Sequence, residues 1–284
     1  MDNDIQLSIV IPTYHRITDL MVCIEKITES CKYAKNICYE IVISDDENSK
    51  TTQNISSIFP NVKIIRGPNK GPAANRNNGA KHTKGEWIVF TDDDCIPDRN
   101  WIREITRTIK KKRKIVGIEG AIHPLYRTNQ SLDECPVNFS GANFWSANII
   151  INKRIFDEIG GFDENYKYAA YEDMDIYYRL REKGEVPFIK EIIVYHPPRI
   201  ATIYSSVKKM ARICESFAYH LNKNANYLNL KSNTDKIRYY INLNFHFLLH
   251  YLKALNLKQS FLKLMYLLFG THIFLFFLNK RTNI

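Results

Sequence analysis

Residues 85–98 read GEWIVFTDDDCIPD. Trp87-Ile88-Val89-Phe90 is a short apolar run of the kind that forms a buried strand, and three adjacent carboxylates, Asp92, Asp93 and Asp94, follow its end. Like charges this close repel. The stretch therefore predicts either a solvated turn with its counter-ions or a site where a bound divalent cation offsets the repulsion.

Working outward, three more runs resemble this one: Leu7–Ile11, Tyr39–Ile43 and Val62–Ile65. The segments between them are long enough for crossover helices, so the pattern predicts an α/β fold with parallel strands. Such sheets present ligands at the carboxyl ends of their strands. The residues there are Pro12-Thr13-Tyr14, Ser44-Asp45-Asp46 and Asp92-Asp93-Asp94. Asp45-Asp46 also suits a plain turn or helix cap before Asn48-Ser49. The triplet exceeds what one cap needs, and oxygen ligands at that density suit Mg²⁺ or Mn²⁺. Residues 67–87, GPNKGPAANRNNGAKHTKGEW, hold neither a dinucleotide fingerprint nor a Walker loop. Gly71-Pro72 predicts the opening of a helix that carries Arg76 one turn in, where a phosphate partner is expected.

The chain has 284 residues, 45% hydrophobic and 25% charged, enough for one large core or one core plus an appendage. Its start, MDNDIQLSIVIPTYHR, has no basic n-region and no long apolar run, so no signal peptide is expected and the active part is placed in the cytosol. The six cysteines form no C-x-x-C pair and are expected as reduced thiols. Net charge is +10, yet residues 1–200 hold 28 basic against 28 acidic side chains while residues 201–284 hold 12 against 2. A neutral first part followed by a basic, aromatic tail predicts a catalytic domain with a module that meets something anionic.

Taken together, SIVIPTYHR, IVISDDENS, NKGPAANRNNGA, GEWIVFTDDDCIPDRNWI, ANIIINKRIFDEIGGFDE and YEDMDIYYRLREKG resemble the family 2 glycosyltransferases over roughly residues 5–200. These are inverting, nucleotide-sugar-dependent enzymes with the GT-A fold, a Rossmann-like α/β architecture. The resemblance implies that Pro12, Thr13 and Tyr14 border the nucleotide, that Asp45 with Asp46 beside it hydrogen-bonds the base, and that Arg76 lies near base or phosphates. It places Asp92 and Asp93 towards ribose and sugar, and Asp94 on a Mn²⁺ or Mg²⁺ ion bridging the diphosphate. Its E-D element falls on Glu172-Asp173, which makes Asp173 the expected general base. An acidic first turn favoured by the helix dipole accounts equally for Glu172 and Asp175, and Arg179 is spaced to pair with Asp175. His196 resembles a histidine that completes the metal shell, and as a lone His before two prolines it equally suits a loop. Trp145 and Asn148 fall in the acceptor region, where Trp145 either stacks on a sugar or packs in the core.

The expected organisation is a GT-A catalytic domain over 1–200, with nucleotide-sugar binding to about 120 and the acceptor half over 121–200, then a helical basic-aromatic tail over 201–284. Within the tail, Leu264–Leu278 is 15 residues and contains Gly270, Thr271 and His272, short of the about 20 apolar residues of a spanning helix. Amphipathic helices in the membrane interface are expected, with a packed helical subdomain or dimer surface as the alternative. The resulting expectation is an inverting transferase at the inner face of the cell membrane. It uses a UDP-sugar donor and a glycan or lipid-linked acceptor in cell-surface polysaccharide or glycolipid synthesis. A non-catalytic sugar-nucleotide-binding scaffold and a basic nucleic-acid-binding protein are the rivals. The second is disfavoured by an apolar, Arg-poor basic region.

Overall fold

The computed structural model describes residues 7–112, 114–126, 135–199 and 201–279. Described residues up to Pro197 form one compact unit and those from Pro198 onward a second.

The first unit is built on β1 (Leu7–Thr13), β2 (Tyr39–Asp45), β3 (Val62–Arg66), β4 (Trp87–Phe90), β5 (Ile96–Pro97), β6 (Gly117–Pro124), β7 (Ile149–Asn152) and β8 (Phe188–His196). They make one eight-stranded sheet in the order β3-β2-β1-β4-β7-β6-β8-β5. The first four strands are mutually parallel, as the four apolar runs predict. Antiparallel β7 then joins β4 to β6, and β5 runs antiparallel to β8. This mixed half has no counterpart in the sequence pattern, because β5 is two residues long and β7 is four.

Side chains alternate between the two faces with the strand period of two. Leu7, Ile9 and Ile11 of β1 join Leu20, Ile24 and Ile27 of α1 (Ile17–Ala34) and Trp101, Ile102 and Ile105 of α5 (Trp101–Lys111). Val10, Ile88 and Phe90 point the other way. They meet Ala73 and Ala80 of α4 (Pro72–Lys81), Ile155 and Phe156 of α6 (Lys153–Glu158), and Ile176 and Leu180 of α7 (Glu172–Arg181). Two single turns, α2 (Lys50–Gln53) and α3 (Ile55–Ile58), complete the β2–β3 crossover. Helix α4 starts at Gly71-Pro72 as its sequence predicts, and Gly71 has φ +101°, the left-handed region that favours glycine. Its small residues let it lie against β1: a Cβ on Gly79 would come within 2.4 Å of Val10 Cγ1.

The second unit is helical: α8 (Ile203–Lys223), α9 (Asn233–Lys253), α10 (Leu257–Met265) and α11 (Thr271–Asn279). Helices α8 and α9 open with capping boxes, Thr202 with Ser205 and Ser232 with Asp235. Tyr240 stacks on Phe274 at 4.3 Å between centroids and donates its hydroxyl to the Tyr266 carbonyl at 3.0 Å. A π-helical turn, Tyr266–Gly270, carries α10 directly into α11. The apolar helix thus spans Leu257–Asn279, 23 residues, within which an 18-residue stretch has mean hydropathy 1.9. It is long and apolar enough to cross a membrane, which corrects the expectation drawn from Leu264–Leu278 alone. Gly270 and Thr271, which read as an interruption, are absorbed by the π turn.

Asn148, expected in the acceptor region, is instead fully buried under the sheet. Its Oδ1 accepts from Trp101 Nε1 at 2.9 Å, and its Nδ2 donates to the carbonyls of Ala121 and Ile192 at 2.8 and 2.9 Å. With the amide fully committed, Asn148 ties α5, β6 and β8 together and is not available to a sugar. Asn148→Ala strands three buried polar groups and should cost about 2–4 kcal/mol of unfolding free energy, read by urea denaturation.

Candidate active site at the carboxyl ends of the strands

Thr13 and Asp45 are the last residues of β1 and β2 and stand side by side in the register, and Phe90 ends β4 on the other side of β1. After β4 the chain turns tightly, with Cys95 N–H donating to the Asp92 carbonyl at 3.1 Å, and re-enters the sheet as β5 against Val194 and Tyr195. That antiparallel pairing brings Asp94 to His196.

The triplet is met by two arginines and a hydroxyl. Arg16 Nη1 bridges Asp93 Oδ1 at 3.1 Å and Asp94 Oδ2 at 2.9 Å, and Thr13 Oγ1 donates to Asp93 Oδ2 at 2.8 Å. Arg76, buried at 5% exposure, bridges Asp92 Oδ1 at 2.9 Å and Glu172 Oε1 at 3.4 Å, with its guanidinium 5.8 Å from the Phe162 ring. Arg76, expected near base or phosphates, thus has its terminal nitrogens on two carboxylates, while its Nε is buried without a hydrogen-bond partner among the described residues. Burial pushes the Asp93 carboxyl up to about 6, against the pull of Arg16 and Thr13.

His196 is 2% exposed and its Nδ1 lies 2.9 Å from the Pro197 carbonyl, which only accepts, so Nδ1 is the donor. In the neutral ring Nε2 then carries a lone pair, and it stands 3.3 Å from Asp94 Oδ1. Two acceptors facing at that distance call for a shared proton or a cation. A carboxylate with an imidazole fits a divalent ion such as Mn²⁺. Cys95 Sγ lies in the same cluster, but burial pushes its thiol well up and it donates to the Ala147 carbonyl at 3.8 Å.

Helix α7 begins after Tyr171, held at φ 71°. In its first turn Glu172 is buried against Arg76. Asp173 Oδ2 accepts the Ser146 N–H at 3.1 Å, whereas its Oδ1 is buried with no hydrogen-bond partner among the described residues. Burial raises both carboxyls, with the charge of Asp173 adding to the rise in Glu172 and that of Asp92 to the rise in Asp173. Arg76 opposes this rise in both. One turn on, Arg179 pairs with Asp175 at 2.6 Å, as the i+4 spacing predicts, and also donates to the carbonyls of Ile159 and Gly161 at 2.8 and 2.7 Å. Asn77 of α4 holds the next stretch of that loop, exchanging hydrogen bonds with Phe162 N–H and carbonyl.

The glycosyl transferase family 2 profile matches residues 8–162, and a glycosyltransferase-like family 2 profile matches residues 141–247. The chain belongs to glycosyltransferase family 2. Among curated relatives, the Campylobacter jejuni GalNAc(5)-diNAcBac-PP-undecaprenol β-1,3-glucosyltransferase is 34% identical over 95 residues, 31% of this chain and 29% of that protein. Relatives of this kind are matched over only 29% to 35% of their own length. The fold is similar to S. aureus TarS 1-349 in complex with UDP-GlcNAc, with TM-score 0.56, 15% identity, and 92% and 91% of the two chains covered. It is also similar to the mannosyltransferase PcManGT from Pyrobaculum calidifontis in complex with GDP-Man and Mn²⁺, with TM-score 0.59, 11% identity, and 94% and 88% covered. The α/β sheet of this family 2 chain therefore has the GT-A fold.

Thr13, Arg76, Asp92, Asp93, Asp94, Glu172 and His196 are joined by direct contacts, with Asp173 adjoining Glu172. Other expected residues stand apart. Asp45 accepts the N–H groups of Glu47 and Ser49 at 2.9 and 3.2 Å and shapes the turn after β2, whereas Asp46 accepts the N–H of Asn69 at 2.7 Å from the segment before α4. Pro12 is half-buried within β1, Tyr14 is exposed, and Trp145 is half-buried against the sheet core. Arg16 and Ser146 were not singled out from sequence. Arg16 closes the SIVIPTYHR block three residues beyond β1, a place from which a cation reaches the β4 end. Ser146 meets Asp173 through its backbone N–H and also through its hydroxyl, and a lone serine between Trp145 and Ala147 carries no motif that would single it out.

The raised Asp93 carboxyl favours the protonated folded state. The stability it contributes is complete below its ordinary 3.8 and is lost as pH rises through about 6. In metal-free protein, Asp93→Asn should flatten that part of the stability-against-pH curve, followed by thermal unfolding from pH 4 to 7. An unchanged slope assigns the titration elsewhere.

Proposed function

We propose that this chain is an inverting glycosyltransferase that moves a sugar from a nucleotide-diphosphate sugar to an acceptor hydroxyl. The observation that carries the reading is Arg76, which links Asp92 of the triplet to Glu172 at the start of α7. One buried cation thereby couples the carboxylates of a donor site to the helix turn that presents Asp173. The half up to about residue 120 is assigned to the donor and residues 121–200 to the acceptor and the base.

In this reading Thr13 and Arg16 orient Asp93 towards the donor, with Pro12, Tyr14, Asp45 and Asp46 around the nucleotide. Asp94 and His196 hold Mn²⁺ or Mg²⁺, which when bound supplies Lewis-acid stabilisation of the leaving diphosphate. Asp173 takes the acceptor proton as the hydroxyl attacks the anomeric carbon from the face opposite the diphosphate. Desolvation raises its basicity towards the working pH. One displacement inverts the centre, so no covalent enzyme intermediate is required. A UDP-sugar donor is favoured by TarS and a lipid-linked acceptor by the undecaprenol-linked substrate in the name of the C. jejuni relative. Synthesis of a cell-surface polysaccharide or glycolipid follows from such an acceptor.

The test is a panel of nucleotide sugars with Mn²⁺, following release of nucleotide diphosphate. Asp173→Asn should keep donor and metal affinity and lower turnover by roughly 10²–10⁴-fold, the usual contribution of a positioned base. An α-linked donor should give a β-linked product by the proton coupling of its anomeric signal. Binding without turnover for every donor would leave the scaffold role instead.

The same reading places helices α8–α11 against an anionic membrane surface at the inner face of the cell membrane. The 12 basic against 2 acidic residues after 200 support it, as do the exposed Phe245, Leu257, Phe261, Leu268, Phe269 and Phe276. The full chain should float with phosphatidylglycerol vesicles and not with phosphatidylcholine vesicles, and Leu268→Asp with Phe269→Asp should abolish flotation. Resistance to alkaline carbonate extraction would show that Leu257–Asn279 spans the bilayer rather than lying on it.

A further inference from the structure

Glu119 of β6 is 2% exposed and lies outside the carboxylate cluster described above. Its Oε1 accepts from Asn138 Nδ2 at 2.8 Å, Asn143 N–H at 2.9 Å and Phe144 N–H at 2.5 Å, and its Oε2 accepts from Ala142 N–H at 2.9 Å. An ionised carboxylate taken out of water is costly unless donors of this number surround it. Here three of the four donors are successive backbone groups of one loop. The loop takes an unfavourable path, with Gly141, Ala142 and Phe144 all at positive φ. Side chains anchor the loop as well, with Phe144 buried in the core beside Tyr177 and Phe139 edge-on to His123, while its backbone is held by an isolated pairing of Asn138 with Ile122, by the Gly141 N–H on Asn138 Oδ1 at 2.9 Å, and by Glu119. Two residues past Phe144 the same backbone donates from Ser146 to Asp173.

We infer that Glu119 is a positioning residue for the reaction: its carboxylate fixes the strained 138–145 loop so that Ser146 holds the Asp173 carboxylate in place as the base. This rests on the glycosyltransferase reading. Burial raises the Asp173 carboxyl and Asp92 adds to the rise, while Arg76 of α4 and both the N–H and the hydroxyl of Ser146 lower it. Loss of the Ser146 contact therefore moves the acid side of the rate profile to higher pH.

In Glu119→Gln the amide NH₂ replaces an acceptor and opposes a loop N–H. Amide exchange of the 138–148 peptide, read by mass spectrometry, should rise at least about tenfold, and kcat should fall by about 10²-fold, the scale of a misplaced catalytic group. Binding of UDP with Mn²⁺ should hold within about twofold, and the acid limb of kcat/KM should move up in pH. Ser146→Pro tests the far end without touching Glu119. Trp145 already has φ −64° and ψ 129°, which suits the residue before proline, and Ser146 opens a helical turn, where proline is tolerated. It should reproduce the kcat and pH effects with exchange in 138–144 unchanged. Faster exchange with a wild-type kcat and acid limb would reduce Glu119 to a structural role and overturn the inference, as would unchanged exchange. No turnover in the wild type for any donor would instead sink the glycosyltransferase reading, since the exchange result stands independently of activity.

Discussion

Four carboxylates crowd two arginines at the carboxyl edge of this sheet, and the rest of the molecule is arranged to make that bearable. Asp93, Asp94 and Glu172 are almost wholly withdrawn from water, where mutual repulsion is strong and solvent cannot relieve it. Arg16 faces two of them and Arg76 the other pair, so each cation is shared rather than matched one to one. The guanidinium suits this work because its fork presents several donors in fixed directions and does not lose its charge.

Backbone geometry supplies what charge alone does not. The parallel half of the sheet brings Thr13 and Asp45 together by register, and the small antiparallel additions β5 and β7 steer the chain back so that Asp94 meets His196. Asn77, Asn148 and Arg179 then pin the loops between strands and helices by their own hydrogen bonds. Rigid elements thus carry the polar groups, and the loops between them are tied at several points. That is the condition for holding a titrating carboxyl at one place.

Legibility from the residues followed the range of the forces involved. The parallel strands and their ends were readable, because a continuous apolar run of four or five residues has few other uses, and the acidic ends followed directly. Capping boxes at Thr202 and Ser232 went unread from the sequence and appear only in the structure. The antiparallel strands were not readable either, since two or four residues carry too little periodicity to stand out from loops. Asn148 misled for another reason: a buried amide satisfied by Trp101 and two carbonyls looks, in a linear string, like any asparagine near an active site. The length of the last helix was underread because glycine and threonine at 270–271 suggest a break, and only the wider π turn shows that the axis continues.

The contacts that neutralise the acidic edge join residues far apart along the chain: Thr13 to Asp93 across 80 positions and Arg76 to Glu172 across 96. None of these can form in a hairpin or a single helix pair. A growing chain that has delivered the triplet but not yet Glu172 and His196 carries three crowded anions with only part of their final surroundings. Contacts of such separation form late and slow the search, because the chain closes long loops before any of them is rewarded. The acidic edge therefore cannot be assembled from any one local segment, and a complete set of its ion pairs reports that the whole sheet has closed.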